Sequence, residues 1–140
     1  MDGNTKDPLL SESYLGEIDG QMTDILTASF TDHNFLLVTQ YKRFGTMIHV
    51  ALNESMLDKK VSSMPTFTTK VLLGDDREMY HVFARAVASL FVEKTNKNAK
   101  KIGVPGIHKP LLCNFALKNP SKVTLHELKN ILEKQLERVL

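Results

Sequence analysis

Apolar residues in this chain follow two rhythms, short strand-like runs up to about position 74 and helical spacing in two stretches after it. Met22-Thr23-Asp24-Ile25-Leu26-Thr27-Ala28-Ser29-Phe30 is mixed apolar and threonine-rich. The turn residues Thr31-Asp32-His33-Asn34 follow, then Phe35-Leu36-Leu37-Val38-Thr39-Gln40, which predicts a hairpin. A second hairpin is predicted where Tyr41-Lys42-Arg43-Phe44-Gly45 leads into Thr46-Met47-Ile48-His49-Val50-Ala51-Leu52. Further on, Thr68-Thr69-Lys70-Val71-Leu72-Leu73 reads as a strand that stops at Gly74. Asp75 or Asp76 is then placed to accept hydrogen bonds from the first unpaired N–H groups of a helix. Met79, Val82, Phe83, Ala86 and Leu90 form one stripe of that helix, widened by Val87 and Phe91. Gly103, Pro105 and Gly106 break the pattern, and residues 109–117 read as a buried strand. Thr124 with Glu127 fits a capping box before the stripe Leu125, Leu128, Leu132, Leu136 and Val139.

Several strands, a helix, a strand and a last helix imply an α+β fold. The expected form is a two-layer sandwich, a mostly antiparallel sheet with two amphipathic helices packed on one face. Its core is expected at Leu37, Ile48, Val50, Val71, Leu73, Val82, Phe83, Leu90, Leu112, Leu128 and Leu132. Residues 1–20 hold five acids against one lysine and are expected to be a flexible acidic N-terminal extension, leaving 21–140 as a single domain. Residues 53–66 show no sustained pattern and read as a long loop.

The order Val38-Thr39-Gln40, a short basic loop, Gly45-Thr46, then Thr68-Thr69-Lys70-Val71-Leu72-Leu73-Gly74 and His81-Val82-Phe83-Ala84 closely resembles the proteasome assembly chaperone 3 family. No single motif carries a mechanism; their order and spacing carry the likeness. It covers roughly residues 21 to 92, with a weaker match to the C-terminus and none in the first twenty residues. The resemblance implies a non-enzymatic chaperone that acts as a dimer on α subunits of the core proteasome and is released before maturation. Its dimer partner would be a related small chaperone of the chaperone 4 type, or a second copy.

Composition narrows the alternatives. With 42% hydrophobic and 24% charged residues the chain is ordinary globular material, and it has no apolar stretch near the roughly 20 residues that span a bilayer. The N-terminus carries acids where a secretory signal needs bases, so a cytoplasmic protein is expected, with the nucleus as a second compartment. The one cysteine, Cys113, sits in an apolar run and reads as a core thiol. His33, His49, His81, His108 and His126 lack zinc-protease spacing, and Asp75 and Asp76 are explained by capping. No catalytic group, metal site or cofactor site is read from the sequence.

Binding chemistry is more visible. Tyr41, Lys42, Arg43 and Phe44 combine aromatics with arginine, the residue types that anchor interfaces. Asp58, Lys59 and Lys60 in the long loop, with Lys97, Lys100 and Lys101 after the first helix, complete the expected partner-binding set. The runner-up is a small RNA-binding or ribosome-associated α+β protein using the lysine-rich segment 94–109. No stacking aromatic lies beside those lysines, so neither nucleic acid nor membrane is the expected partner.

Overall fold

A computed structural model describes residues 10–53 and 65–140. The elements in chain order are β1 (Leu10–Ile18), β2 (Gln21–Ser29), β3 (Asn34–Thr39), β4 (Thr46–Leu52), β5 (Phe67–Leu73), α1 (Glu78–Lys101), β6 (Leu111–Ala116) and α2 (Lys122–Val139). Six strands form one sheet in the order β1-β2-β3-β6-β4-β5; only β3 and β6 run parallel. The α+β reading with two helices on one face holds. Helix α1 packs on β4, β5 and β6, α2 on β1 and β2, and the helices touch each other.

Four local expectations change. Residues 10–18 are not tail but strand β1, paired along its whole length with β2. The turn Asp19-Gly20 has both residues at positive φ, 51° and 74°, the backbone that a two-residue hairpin demands. The acidic composition of β1 masked that signal, because only Ile18 of this strand is buried. Residues 1–9 lie outside the described residues.

The second hairpin is also not one. Strand β6 inserts between β3 and β4, bonding Leu36 to Cys113 and Cys113 to Ile48 in register. Its run Leu111–Ala116 is buried at five of six positions, and a strand with both sides apolar belongs in the middle of a sheet. Residues 40–45 therefore cross over the end of β6.

Strand phase accounts for the third difference. Leu36 and Val38 enter the core while Leu37 and Leu112 face the other side, and Leu73, next to a register shift at Met47/Ile48, is 65% exposed. Helix α1 is rotated from the expected stripe: Tyr80, Phe83, Ala84, Val87, Leu90 and Phe91 are buried and Val82 is exposed. In α2 the stripe is as expected, with Leu128, Leu132, Leu136 and Val139 buried, each leucine stabilising the fold by about 1.5–3 kcal/mol.

Caps are the fourth. Arg77 is the N-cap of α1 and offers no side-chain bond, while Asp76 is drawn to His81 at 2.6 Å. Ser121 caps α2 through Thr124 N at 3.3 Å, and Glu127 instead accepts from Asp19 N at 2.7 Å. The hydroxyl one turn earlier serves the end of α2 better because Thr124 itself is buried.

Helix α1 continues past the point where the lysine-rich connection was expected to begin. Lys94 is buried and its ammonium meets Glu133 at 3.0 Å and Glu137 at 3.9 Å, both on α2. The hydrogen bond to Glu133 raises its pKa against the opposing effect of burial. Asn98 adds a bond to the Leu140 carbonyl at 2.7 Å. These ties hold the last turns of α1 in helix until Gly103 N and Val104 N close on the Lys100 and Ala99 carbonyls.

Candidate protein-binding site

The spacing of the first motifs is a construction of one end of the sheet. Thr39 ends β3 and folds the crossing: its hydroxyl accepts from Tyr41 N at 3.1 Å and donates to the Arg43 carbonyl at 2.8 Å. Gln40 is buried and spans three elements, donating to Thr23 Oγ1 at 3.0 Å and to the Ile18 carbonyl at 3.4 Å, and accepting from Lys118 N at 2.9 Å. Lys42 takes a left-handed backbone, φ 57°, at the top of the crossing.

Two glycines then let this crossing touch the β5–α1 junction. A Cβ on Gly45 would collide with the Phe115 carbonyl, and Gly45 N bonds to Asn114 Oδ1 at 2.6 Å. Gly74 has φ 93°, and a Cβ there would lie 2.8 Å from Thr46 Cα. Between them Thr46 Oγ1 donates to the Asp75 carbonyl at 2.8 Å. The Gly45-Thr46 and Gly74 positions are thus one contact.

Above this contact opens a cleft of about 420 Å³. Tyr41, Arg43 and Phe44 form one wall, Asp75 and Arg77 the other, and Tyr80, Phe115 and Leu117 the floor. Tyr80 stacks on Phe115 at 5.6 Å, and its hydroxyl accepts from Leu117 N at 3.1 Å, so the floor is fixed. The walls are free: Tyr41 is 47% exposed and Phe44 65%. The guanidinium of Arg43 and the ammonium of Lys118 both lie over the Tyr41 ring, at 5.6 and 5.7 Å, and Arg77 lies over Tyr80 at 5.6 Å. None of Lys42, Arg43, Arg77 or Lys118 is within ion-pair distance of an acid among the described residues.

The other expected binding residues do not join this site. Lys97, Lys100 and Lys101 are exposed at the far end of α1, roughly 36 Å of helix away. Asp58, Lys59 and Lys60 lie outside the described residues. Their loop is anchored at Asn53 and Thr66, whose backbones bond at 3.0 Å beside the pair Leu52 and Phe67, at the lysine end of the sheet. Sequence reasoning missed Arg77, Tyr80 and Lys118, which only the fold brings to the crossing.

The remaining candidates for chemistry are occupied. Asp76, His81 and Thr69 bond in a row at 2.6 and 2.7 Å, and Arg85 also reaches the Thr69 hydroxyl at 3.4 Å. That row joins the start of α1 to β5 and leaves the hydroxyl engaged. Cys113 is fully buried, and burial pushes its thiol far above the range in which a thiolate forms. Among the described residues no group of three His, Cys, Asp or Glu side chains is placed to hold a metal ion.

On the opposite side of the sheet, no helix among the described residues covers the strands. Leu15, Met22, Leu37, Met47, Leu112 and Leu73 all lie on that side, Leu15 at 63% exposure.

Comparison with known proteins agrees with this arrangement. The family model of proteasome assembly chaperone 3 matches residues 36–135. A protein described as proteasome assembly chaperone 3 from Nematostella vectensis is 32% identical over 126 residues, covering 84% of this chain and 85% of its own. The Homo sapiens protein of that description is 31% identical over 96 residues, covering 69% and 76%. The Mus musculus protein is 28% identical over 124 residues, covering 89% and 90%. Among solved structures, a chain of the "Crystal Structure of a Novel Chaperone Complex for Yeast 20S Proteasome Assembly" superposes with a TM-score of 0.56 at 11% identity. The overlap covers 91% of this chain and 99% of that one, and so supports the fold.

Proposed function

This chain belongs to the proteasome assembly chaperone 3 family, and we propose that it is a non-enzymatic chaperone that dimerises and binds α subunits to promote correct α-ring assembly of the core proteasome. It leaves before the particle matures. Family membership over most of the chain carries this reading. It acts in the cytoplasm, with the nucleus as a second compartment.

The open sheet face supports a dimer. Its aliphatic side chains are arranged as half of a core, and a second sheet laid on it would complete one, as in any face-to-face sandwich about 10 Å thick. The partner we assign is a related small chaperone, since the yeast chain of like fold is described as part of a chaperone complex. The cleft beside residues 41–44 has its floor on the helix side of the same end, where a client can reach it, while Arg43 and Phe44 also border the open face. A moderate, polar-rimmed contact there suits a chaperone that must let go.

The runner-up reading has lost much of its support. Of the five lysines in segment 94–109, Lys94 is paired with α2, and Lys109 donates to Ser29 Oγ at 2.8 Å and to the Phe30 carbonyl at 2.5 Å.

Native mass spectrometry of complexes captured with a tagged copy from its own cells tests the proposal. The expected result is core-proteasome α subunits with a second small chaperone and few mature β subunits. Self-pairing without a second chaperone would overturn the heterodimer assignment. Ribosomal or RNA partners without α subunits would overturn the assembly role.

A further inference from the structure

We infer that the cleft between the β3–β4 crossing and the start of α1 receives a carboxylate from an acidic segment of the client protein. The inference rests on the assembly-chaperone reading and names the chemistry its client must offer. Four cations, Lys42, Arg43, Arg77 and Lys118, surround this end of the sheet; Asp75 lines the cleft with Arg43 and Arg77, and Asp24 lines the neighbouring hollow with Lys42 and Arg43. None of the four is neutralised by an ion pair among the described residues. Two of them, Arg43 and Lys118, are held against Tyr41 by its ring face, which positions charge without cancelling it.

A carboxylate fits this setting better than other anionic groups. Arg43 and Arg77 line the two walls of one cleft, and a guanidinium fork matches a carboxylate through paired N–H donors. Helix α1 begins on that wall at Arg77 with no side-chain cap, so the positive end of its dipole adds to the field. The volume of about 420 Å³ accommodates a side chain or two but not a run of nucleotides. Phe44, 65% exposed at the rim, supplies the apolar contact for a residue flanking the acid.

The floor of the site, Tyr80, Phe115 and Leu117, and its Arg77 wall are on the helix side, while Arg43 and Phe44 also border the open face beside Leu15 and Leu37. The Arg77→Gln change alone therefore separates loss of client binding from loss of the dimer.

Nitrogen-15 NMR of the full chain, titrated with a capped tetrapeptide alternating glutamate and leucine, tests the assignment. The amides of Gly45, Gly74 and Leu117 should shift with this peptide and not with its glutamine counterpart. Arg43→Gln with Arg77→Gln should weaken binding about tenfold, the order expected for losing a hydrogen bond to a charged group. Equal response to the neutral peptide, a response centred on Lys97, Lys100 and Lys101, or unchanged binding by the double variant would overturn it. A stronger response to a short uridine RNA would do the same. In captures from cells, α subunits retained by both wild type and the double variant defeat the cleft assignment alone. Absence of α subunits from wild-type captures defeats the assembly reading beneath it.

Discussion

Leu36 and Leu37 are neighbours in β3 with the same side chain and opposite fates. Leu36 is fully buried beneath the helices among Ile25, Ile48, Cys113 and the rest of the core, whereas Leu37 lies half-buried on the uncovered side beside Asn114 and Leu26. The same alternation repeats across the sheet: Ile48 against Met47, Leu111 and Cys113 against Leu112. Strands β3 and β6 therefore carry aliphatic residues on both sides, but the described residues supply cover for only one. A sequence that keeps aliphatic residues on both sides of its central strands specifies a partner as well as a fold.

The largest test of that difference is Leu36→Ala set against Leu37→Ala in the isolated chain. Leu36→Ala should cost about 2–5 kcal/mol in denaturant unfolding, the usual range for a closed site that cannot collapse. Leu37→Ala should cost about 1 kcal/mol or less, because much of the side chain's contact awaits the partner. Equal losses would mean that the two faces are equally finished in the monomer.

Next comes the partner itself. Leu37→Asp replaces an apolar contact of the open face with a charge that a partner sheet would have to desolvate and should weaken dimer formation at least thirtyfold, about 2 kcal/mol, in sedimentation equilibrium. The monomer should keep its helical circular dichroism, since Leu37 does not enter the helix-side core. A dimer of unchanged affinity would move the interface to an edge strand, β1 or β5.

How much of this was readable beforehand depends on what each residue's role required. Helix α2 was legible because its buried positions are mostly leucines at regular helical spacing, so periodicity alone located Leu128, Leu132 and Leu136. Helix α1 was misphased because of what its buried face is made of. Its buried arc takes in Tyr80 and small Ala84 and Ala88, which carry little hydropathic signal. The pairing of β3 with β6 could not be read locally, since it joins strands separated by a long helix. The crossing at residues 41–44 was recognisable as a binding candidate from its composition, but Arg77 and Lys118 reach it only through the glycine contact at Gly45 and Gly74. Motif order recorded that contact without revealing it.

A smaller effect concerns Asn114, a fully buried polar side chain on the same side of the sheet as Leu37 and Leu112. Its Oδ1 takes the Gly45 N–H, and its Nδ2 has no partner within the described residues. Asn114→Ala should cost about 1–2 kcal/mol by leaving that backbone donor unpaired, and should loosen the crossing that walls the cleft. The check is faster amide hydrogen exchange at Gly45 with little change in Ile48. Unaltered exchange would show that the crossing is held by Thr39 and Gln40 alone.

The smallest expected effect lies at the end of the helix-covered side, where His108 borders a small cavity with Asn34, Phe91 and Thr95. Partial burial lowers the pKa of His108 below its usual value of 6.5, so the folded chain favours the neutral ring. The unfolded chain then binds the proton more readily. The stability contributed by the neutral ring is intact above about pH 6.5 and is lost as pH falls through the lowered folded value. Carboxylates with ordinary pKa values titrate mostly below pH 5, which leaves a window from about 7 to 5 in which this imidazole can be followed. His108→Gln should flatten the stability profile across that window while leaving dimer affinity unchanged, because the residue lies in the segment before β6 at the end of the sheet and not among the aliphatic residues of the open face. A flattened profile accompanied by a weaker dimer would place this end of the sheet within the partner's reach, and the division between a finished and an unfinished face would have to be redrawn there.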